Sequence, residues 1–476
     1  GSVLESGSVA KQFTAGAIVH LALNGRLGLD DPVTRFLPEL PDYGAPITIR
    51  MLLNHTSGIR DMWTLFGLAG QEMGTVLFGT DRALQMVWRQ RELNFAPNSQ
   101  YLYSNSGYLL LAEIVRRVSG RPLAEYSRDT FFAPLGMTQT QWRDDWNRVV
   151  PYRATAYSPT KDGFRVEMPF MNVYGAGGLL TTVGDLLRWN EELSHPRIGG
   201  PAWSDSLVRR ARLNSGRELE YALGLIVGSY RQEPTVSHTG ATGGYRTYLA
   251  RFPKRGISVA VLCNFASADP ETLGRRVVDI FLGPSGSATA AATQAATAPV
   301  PSLATYVGRF RHPESEAVIA FTARDGKLFA ELAGGLPLDP AGPDRFVSPA
   351  SGVAVRFAQI VGGKAARAMV TEPQGDSTRY ERVAPPRSTA AELAGYAGTY
   401  HSAELEVVYQ VTATDSTLVL QIAGGPPRPL ARLATDSFGE ATGLGLRFTR
   451  RGNRVTGFLL FAGRVRDLRF TKRSSP

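Results

Sequence analysis

The sequence is poor in cysteine: it has one, Cys263, in 476 residues. A single thiol excludes an internal disulfide and any cysteine-based metal site. Nothing basic stands beside it in the apolar run 257–263, so it reads as a buried strand residue rather than a nucleophile. Long hydrophobic runs are missing too. No apolar stretch approaches the roughly 18 residues a membrane-spanning helix needs, so no transmembrane segment is expected. The first residues carry no basic start, apolar core or cleavage site, so no signal peptide is visible. A mature periplasmic or secreted protein, the localisation we expect, and a cytoplasmic alternative would look alike here. Lysine is scarce: of 52 basic residues only six are Lys, at positions 11, 161, 254, 327, 364 and 472. The net charge of +10 is spread along the chain without a basic run or interleaved aromatics, so no nucleic-acid partner is expected. There is no G-x-S-x-G, which argues against an α/β-hydrolase.

What is present exceeds one hydrophobic core and points to several domains. An Ala/Thr/Ser-rich stretch with terminal prolines, 284–301, reads as a linker. Before it, residues 1–283 mix helices and strands. An amphipathic helix is expected over Ser8–Leu23, from Val9, Phe13, Ala17, Ile18 and Leu21, with further helices over 106–118 and 183–193. Strands are expected over 221–229, 244–252 and 257–264, with a hairpin turn at Pro253-Lys254-Arg255-Gly256. After the linker the chain is strand-like and repeats with an offset of 90. Leu303, Tyr306, Gly308, Phe310, Glu314 and Glu316 recur as Leu393, Tyr396, Gly398, Tyr400, Glu404 and Glu406. Asp325, Leu328 and Tyr380 likewise match Asp415, Leu418 and Phe470. Two small β domains are expected, 302–386 and 387–476, each closing its own sheet. The fold class is therefore α+β: an antiparallel sheet flanked by helices, followed by two antiparallel β-barrel-like domains.

Three short motifs carry chemistry. In Ser8-Val9-Ala10-Lys11 the spacing puts Lys11 one helical turn from Ser8, close enough to share a proton that a serine must lose to become a nucleophile. Ser158-Pro159-Thr160-Lys161 has the same spacing, but its proline and the following Asp162-Gly163 place it in a turn. Tyr103-Ser104-Asn105 precedes a helix. A tyrosine near a lysine can relay a proton, and Asn105 can bond both a lysine and a substrate amide. His238-Thr239-Gly240, followed by Ala241, ends a strand run where a glycine lets a substrate backbone lie alongside.

In this order the three motifs resemble S-x-x-K, Y-[SA]-N and [KH]-[TSG]-G of the serine β-lactamase and penicillin-binding protein superfamily. The likeness is to its class C β-lactamase-like branch of D-aminopeptidases, DD-peptidases and esterases. Leu52–Gly58, Phe95-x-Pro97 to Tyr108, and Gly175–Leu179 with Thr181, Thr182 and Asp185 fit the same pattern. The resemblance covers about residues 3–282. It implies Ser8 as nucleophile, Lys11 and Tyr103 as the proton-transfer pair, and Asn105, His238, Thr239, Gly240 and Ala241 at the substrate. It also implies an oxyanion hole from the N–H groups of Ser8 and Ala241, and neither metal nor organic cofactor. Which of Lys11 and Tyr103 removes the proton stays open. His55 reads as part of a structural turn.

The expected activity is hydrolysis of amide or ester bonds through an acyl-enzyme, in small peptides with D-residues. The alternatives are a carboxylesterase and a penicillin-binding sensor with little turnover. Two departures from the family pattern matter. Only seven residues precede Ser8, where relatives place a helix and about two strands. His238 also stands where most relatives have lysine. An unperturbed histidine carries about a quarter of a charge at pH 7, so carboxylate-bearing substrates should be recognised weakly and gain as pH falls towards 6. Arg246 is the nearest alternative cation.

Overall fold

A computed structural model of the protein describes residues 1–71, 74–283, 302–313, 318–331, 335–348, 353–371, 377–383, 388–422, 424–440 and 443–473. The stretch 284–301, and the repeat positions Glu314 and Glu316, lie outside the described residues. The described chain divides into two compact units, residues 1–63 with 71–285, and residues 64–70 with 286–476.

Helix α1 spans Lys11–Leu23 and follows a separate 3-10 turn, Gly7–Ala10, on which Ser8 sits. It is not amphipathic. Every residue from Lys11 to Val19 is buried, the pattern of a helix enclosed on all sides. Small residues make this possible. A Cβ on Gly16 would lie 3.0 Å from the Trp203 ring, and the Trp203 indole instead donates to the Gly16 carbonyl at 2.9 Å. One turn away Phe13 stacks on Trp189 at 4.1 Å between centroids. The remaining helices used below are α2 (Ile49–Leu53), α3 (Asn105–Ser119), α4 (Val183–Ser194) and α5 (Pro270–Leu282). Gly120, at φ +75°, ends α3 in the left-handed conformation glycine tolerates best.

Short strands β1 (Leu4–Glu5), β2 (Gln141–Trp142) and β3 (Leu179–Thr181) form a small antiparallel sheet in the order β1-β3-β2. Beneath it the Arg143 guanidinium holds the buried Glu5 carboxylate in two hydrogen bonds, 2.8 and 2.9 Å. The larger sheet has β4 (Ile226–Tyr230), β5 (Glu233–Thr242), β6 (Tyr245–Phe252) and β7 (Ile257–Cys263) in the order β7-β6-β5-β4, all antiparallel. The turn expected at 253–256 joins β6 to β7, with Gly256 at φ +62°. α5 packs on this sheet, where Tyr248, Ala250, Phe252, Val259 and Val278 form one apolar cluster. From the other helix, α4, Asn190 donates to the Ala250 carbonyl at 3.0 Å.

Residues 221–225, expected to begin a strand, form a loop instead. Gly224, at φ +73°, passes so close to α1 that a Cβ there would be 2.9 Å from the Lys11 carbonyl. In this loop Tyr221 is buried, ahead of the start of β4. Ser158 and Lys161 lie on a hairpin of Tyr157–Thr160 with Gly163–Val166, and Lys161 is 90% exposed, so this second S-x-x-K is not helical.

In the other unit each half of the repeat closes an eight-stranded antiparallel barrel. The first runs from Gly308–Arg311 to Ser377–Val383 and closes by pairing Arg309 with Val383. The second runs from Gly398–Ser402 to Val465–Lys472 and closes through Tyr400 and Lys472. Eight strands enclose just enough room for side chains, and aromatics fill it: Phe310, Phe321, Phe346 and Phe357 in one, Tyr400, Phe438, Phe448 and Phe458 in the other. The copies share a polar staple. Tyr306 donates to Asp344 and Tyr396 to Asp436, each at 2.7 Å.

Candidate active site

Lys11 is the first residue of α1 and has no solvent exposure. A buried ammonium is costly unless every N–H finds an acceptor. Here Nζ lies 2.6 Å from the Ala176 carbonyl, 2.9 Å from Asn105 Oδ1 and 3.2 Å from Ser8 Oγ. The faces of Tyr103 and Tyr108, centred 4.7 and 5.4 Å away, add cation–π stabilisation. Two of these acceptors are carbonyl oxygens that can only accept. The third contact is the Ser8 hydroxyl, with which the amine can exchange roles. As an ammonium it donates to Oγ, and as a neutral amine its lone pair takes the Oγ proton. Ser8 itself is half-buried, open on one side.

The Gly175–Leu179 stretch positions Ala176. Thr14 Oγ1 on α1 donates to the Gly175 carbonyl at 2.7 Å, and Ser6 N–H donates to the Leu179 carbonyl at 2.8 Å. Asn105 opens α3. Its backbone N–H and its side-chain amide both donate to Asp61 Oδ2, at 2.7 and 2.8 Å. Asp61 is 1% exposed. His55, at φ +61° in the loop after α2, accepts the Ser104 N–H on Nδ1 at 3.1 Å, and its ring lies against Tyr103 at 4.1 Å. It shapes the approach of Tyr103.

β5 forms the opposite wall. β4 pairs with it only from Glu233 to Ser237, so 238–242 continue without that neighbour. The two-residue turn Gly243-Gly244 makes Thr242 and Tyr245 the closing hydrogen-bonded pair. The next pair, Ala241 and Arg246, is then one that exchanges no ladder bonds. The Ala241 N–H consequently points out of the ladder, towards the Ser8 turn. A Cβ on Gly7 would sit 2.5 Å from that nitrogen, and one on Gly240 would sit 2.0 Å from the Ser6 carbonyl and 3.1 Å from Ser8 N. Only glycines let these two backbones meet. Thr239 and Ala241 are exposed on the same strand, while His238 and Gly240 face inward.

His238 behaves differently from the expectation of a residue that charges near pH 6. Nδ1 lies 2.6 Å from the Thr239 carbonyl, so it must carry the proton, and Nε2 accepts from the Tyr221 hydroxyl at 3.0 Å. Burial, with Lys11 as the second cause, pushes its pKa down to about 4. The imidazole therefore stays neutral at pH values where an ordinary histidine would already charge. Arg246 does not replace the cation outright: Nη1 donates to the Gly243 and Tyr245 carbonyls at 2.8 and 2.7 Å. Burial likewise raises the pKa of the Tyr221 and Tyr108 phenols well above the ordinary value, so both stay protonated donors.

Ser8, Lys11, Tyr103 and Asn105 thus meet at one place, with Gly240 and Ala241 against the Ser8 turn and His238 behind them. Sequence reading missed Asp61, the Ala176 carbonyl and Tyr221. Asp61 follows the Leu52–Gly58 stretch by three residues, which was its only signal. Among the described residues no cluster of three or more His, Cys, Asp or Glu is placed to hold a metal ion, and no helix is long and apolar enough to cross a membrane.

The profile of the family described as beta-lactamase matches residues 1–280. A penicillin-binding protein of Bacillus subtilis (strain 168) is 28% identical over 79% of this chain and 86% of its own length. A D-aminopeptidase of Cereibacter sphaeroides is 26% identical over 87% of this chain and 76% of its own length. Among solved structures, the octameric penicillin-binding protein homologue from Pyrococcus abyssi has a similar fold. Its TM-score is 0.53 at 23% identity, over 80% of this chain and 88% of that one.

Proposed function

The chain belongs to the beta-lactamase family, and on that premise we propose that it is a serine hydrolase that forms an acyl-enzyme on Ser8 and cleaves amide bonds next to D-residues in small peptides. The observation that carries this reading is the placement of Lys11. Two fixed carbonyl acceptors aim its third valence at Ser8 Oγ, 3.2 Å away.

In this mechanism Ser8 Oγ attacks the scissile carbonyl carbon while its proton passes to the Lys11–Tyr103 pair. The carbonyl oxygen becomes an oxyanion received by the N–H groups of Ser8 and Ala241. Collapse breaks the C–N bond, and the pair returns the proton to the departing amine. Water then attacks the ester on Ser8, its proton taken by the same pair and delivered to Oγ, which releases the acid. The Asn105 amide, which has a second hydrogen beyond the one given to Asp61, would donate it to a substrate carbonyl. The name of the D-aminopeptidase relative supports the D-residue preference. The neutral His238 supports substrates with no carboxylate beside the scissile bond.

A fluorophosphonate probe tests the nucleophile: it should label a peptide containing Ser8 and no longer do so in Ser8→Ala. Labelling at Ser158, or labelling that survives Ser8→Ala, overturns the reading. D- and L-amino-acid p-nitroanilides, p-nitrophenyl esters and nitrocefin, run side by side, then separate amidase from esterase and from a slowly acylating penicillin binder.

A further inference from the structure

Lys11 can offer its third direction to Ser8 only if Asn105 presents an oxygen to it rather than an amide nitrogen. The two ends of a carboxamide have nearly the same shape, so packing alone does not choose between them. The choice is made at Asp61. Its Oδ2 accepts both the backbone N–H of Asn105, at 2.7 Å, and the side-chain Nδ2, at 2.8 Å. Oδ1 accepts the Trp63 N–H at 3.1 Å. A carboxylate can only accept, so the reversed amide would set oxygen against oxygen in a site closed to water.

We propose that Asp61 is a positioning residue for acylation: it holds the Asn105 amide so that Oδ1 faces Lys11, and so keeps the Lys11 amine aligned on Ser8. It acts through the amide that it and Lys11 share, Asn105 Nδ2 on one side and Oδ1 on the other. The relay Lys11–Asn105–Asp61 also sets a buried anion one amide away from the buried cation, and it strengthens Oδ1 as an acceptor by polarising the group. Asp61→Asn replaces one acceptor oxygen with an NH2 group. Either the Asn105 amide or the Trp63 N–H then faces a donor, and the carboxamide of Asn105 is no longer forced into one orientation.

This inference rests on the proposed acylation of Ser8, so the test begins with the full-length wild type and a fluorophosphonate probe. If wild-type Ser8 is not labelled, the function proposal fails, and this one with it. If it is labelled, Asp61→Asn should slow labelling about 10- to 100-fold, the loss of one charge-assisted hydrogen bond, with the initial binding constant for the probe changed less than threefold. In an Asn105→Ala background the same substitution should slow labelling less than threefold further, because its route of action is gone. Full multiplication of the two losses means Asp61 supports the fold rather than the amide, and overturns the proposal. So does wild-type labelling by Asp61→Asn. Should that variant not fold, Asp61→Ser, whose hydroxyl can still take the Asn105 backbone N–H, carries the same two expectations.

Discussion

The neutral His238 can be read out as stability. Its pKa is about 4 in the fold, against 6.5 for an ordinary histidine. The unfolded chain therefore binds a proton here at higher pH than the folded one, and stability falls as pH falls. The contribution is fully present above pH 6.5 and is lost as pH falls through 4. Between pH 8 and pH 5 the two titrations differ by a factor of roughly 30, or about 2 kcal/mol. His238→Gln cannot titrate and should lack this part of the pH dependence, while every other group contributes equally to both proteins. Urea unfolding followed by tryptophan fluorescence measures the right unit, because all six tryptophans, at 63, 88, 142, 146, 189 and 203, precede residue 284. The ratio of activity on carboxylate-bearing to neutral substrates should also stay flat from pH 8 to 5.5. Parallel stability curves for wild type and His238→Gln would refute the neutral, Tyr221-bound imidazole. So would a ratio that climbs with an apparent pKa near 6.5.

Gly240→Ala should cut acylation at least about 100-fold, because its Cβ would fall 2.0 Å from the Ser6 carbonyl and push the Ser8 turn off Ala241. Burst kinetics check this, and a burst within threefold of wild type contradicts it. Arg143→Met should destabilise the unit by about 3–5 kcal/mol, since it strands the Glu5 carboxylate without its main partner. Glu5→Leu combined with Arg143→Met should recover most of that loss in the same urea assay.

The parts legible in sequence were those governed by local periodicity and by fixed spacing. The 90-residue offset announced two similar β domains because each copy places its core aromatics at the same positions, Tyr306 and Phe310 against Tyr396 and Tyr400. The three motifs came together because a helix start, a helix entry and a strand edge each carry a recognisable residue. What stayed hidden depends on tertiary surroundings. The periodicity of α1 cannot say that Trp189 and Trp203 cover the faces left to solvent in an amphipathic reading. The sequence around His238 says nothing of Tyr221, seventeen residues upstream, which accounts for one of its ring nitrogens. Asp61 is one acidic residue among 42 until the fold brings it under Asn105.

Complete enclosure of Lys11 separates it chemically from the other lysines. Amine reagents act on the fraction of an amine that is both neutral and reachable, and Lys11 has no exposure, its Nζ hydrogen-bonded to Ser8, Asn105 and Ala176. Lys161, by contrast, is 90% exposed and Lys327 is 58% exposed. Reductive methylation or amine-coupled immobilisation of the folded protein should therefore decorate its surface lysines and leave the site lysine untouched, while the same reagent applied after denaturation finds all six. A protein so sparing with lysine can be tethered through its side-chain amines at a handful of known points, all of them remote in reactivity from the enclosed Lys11.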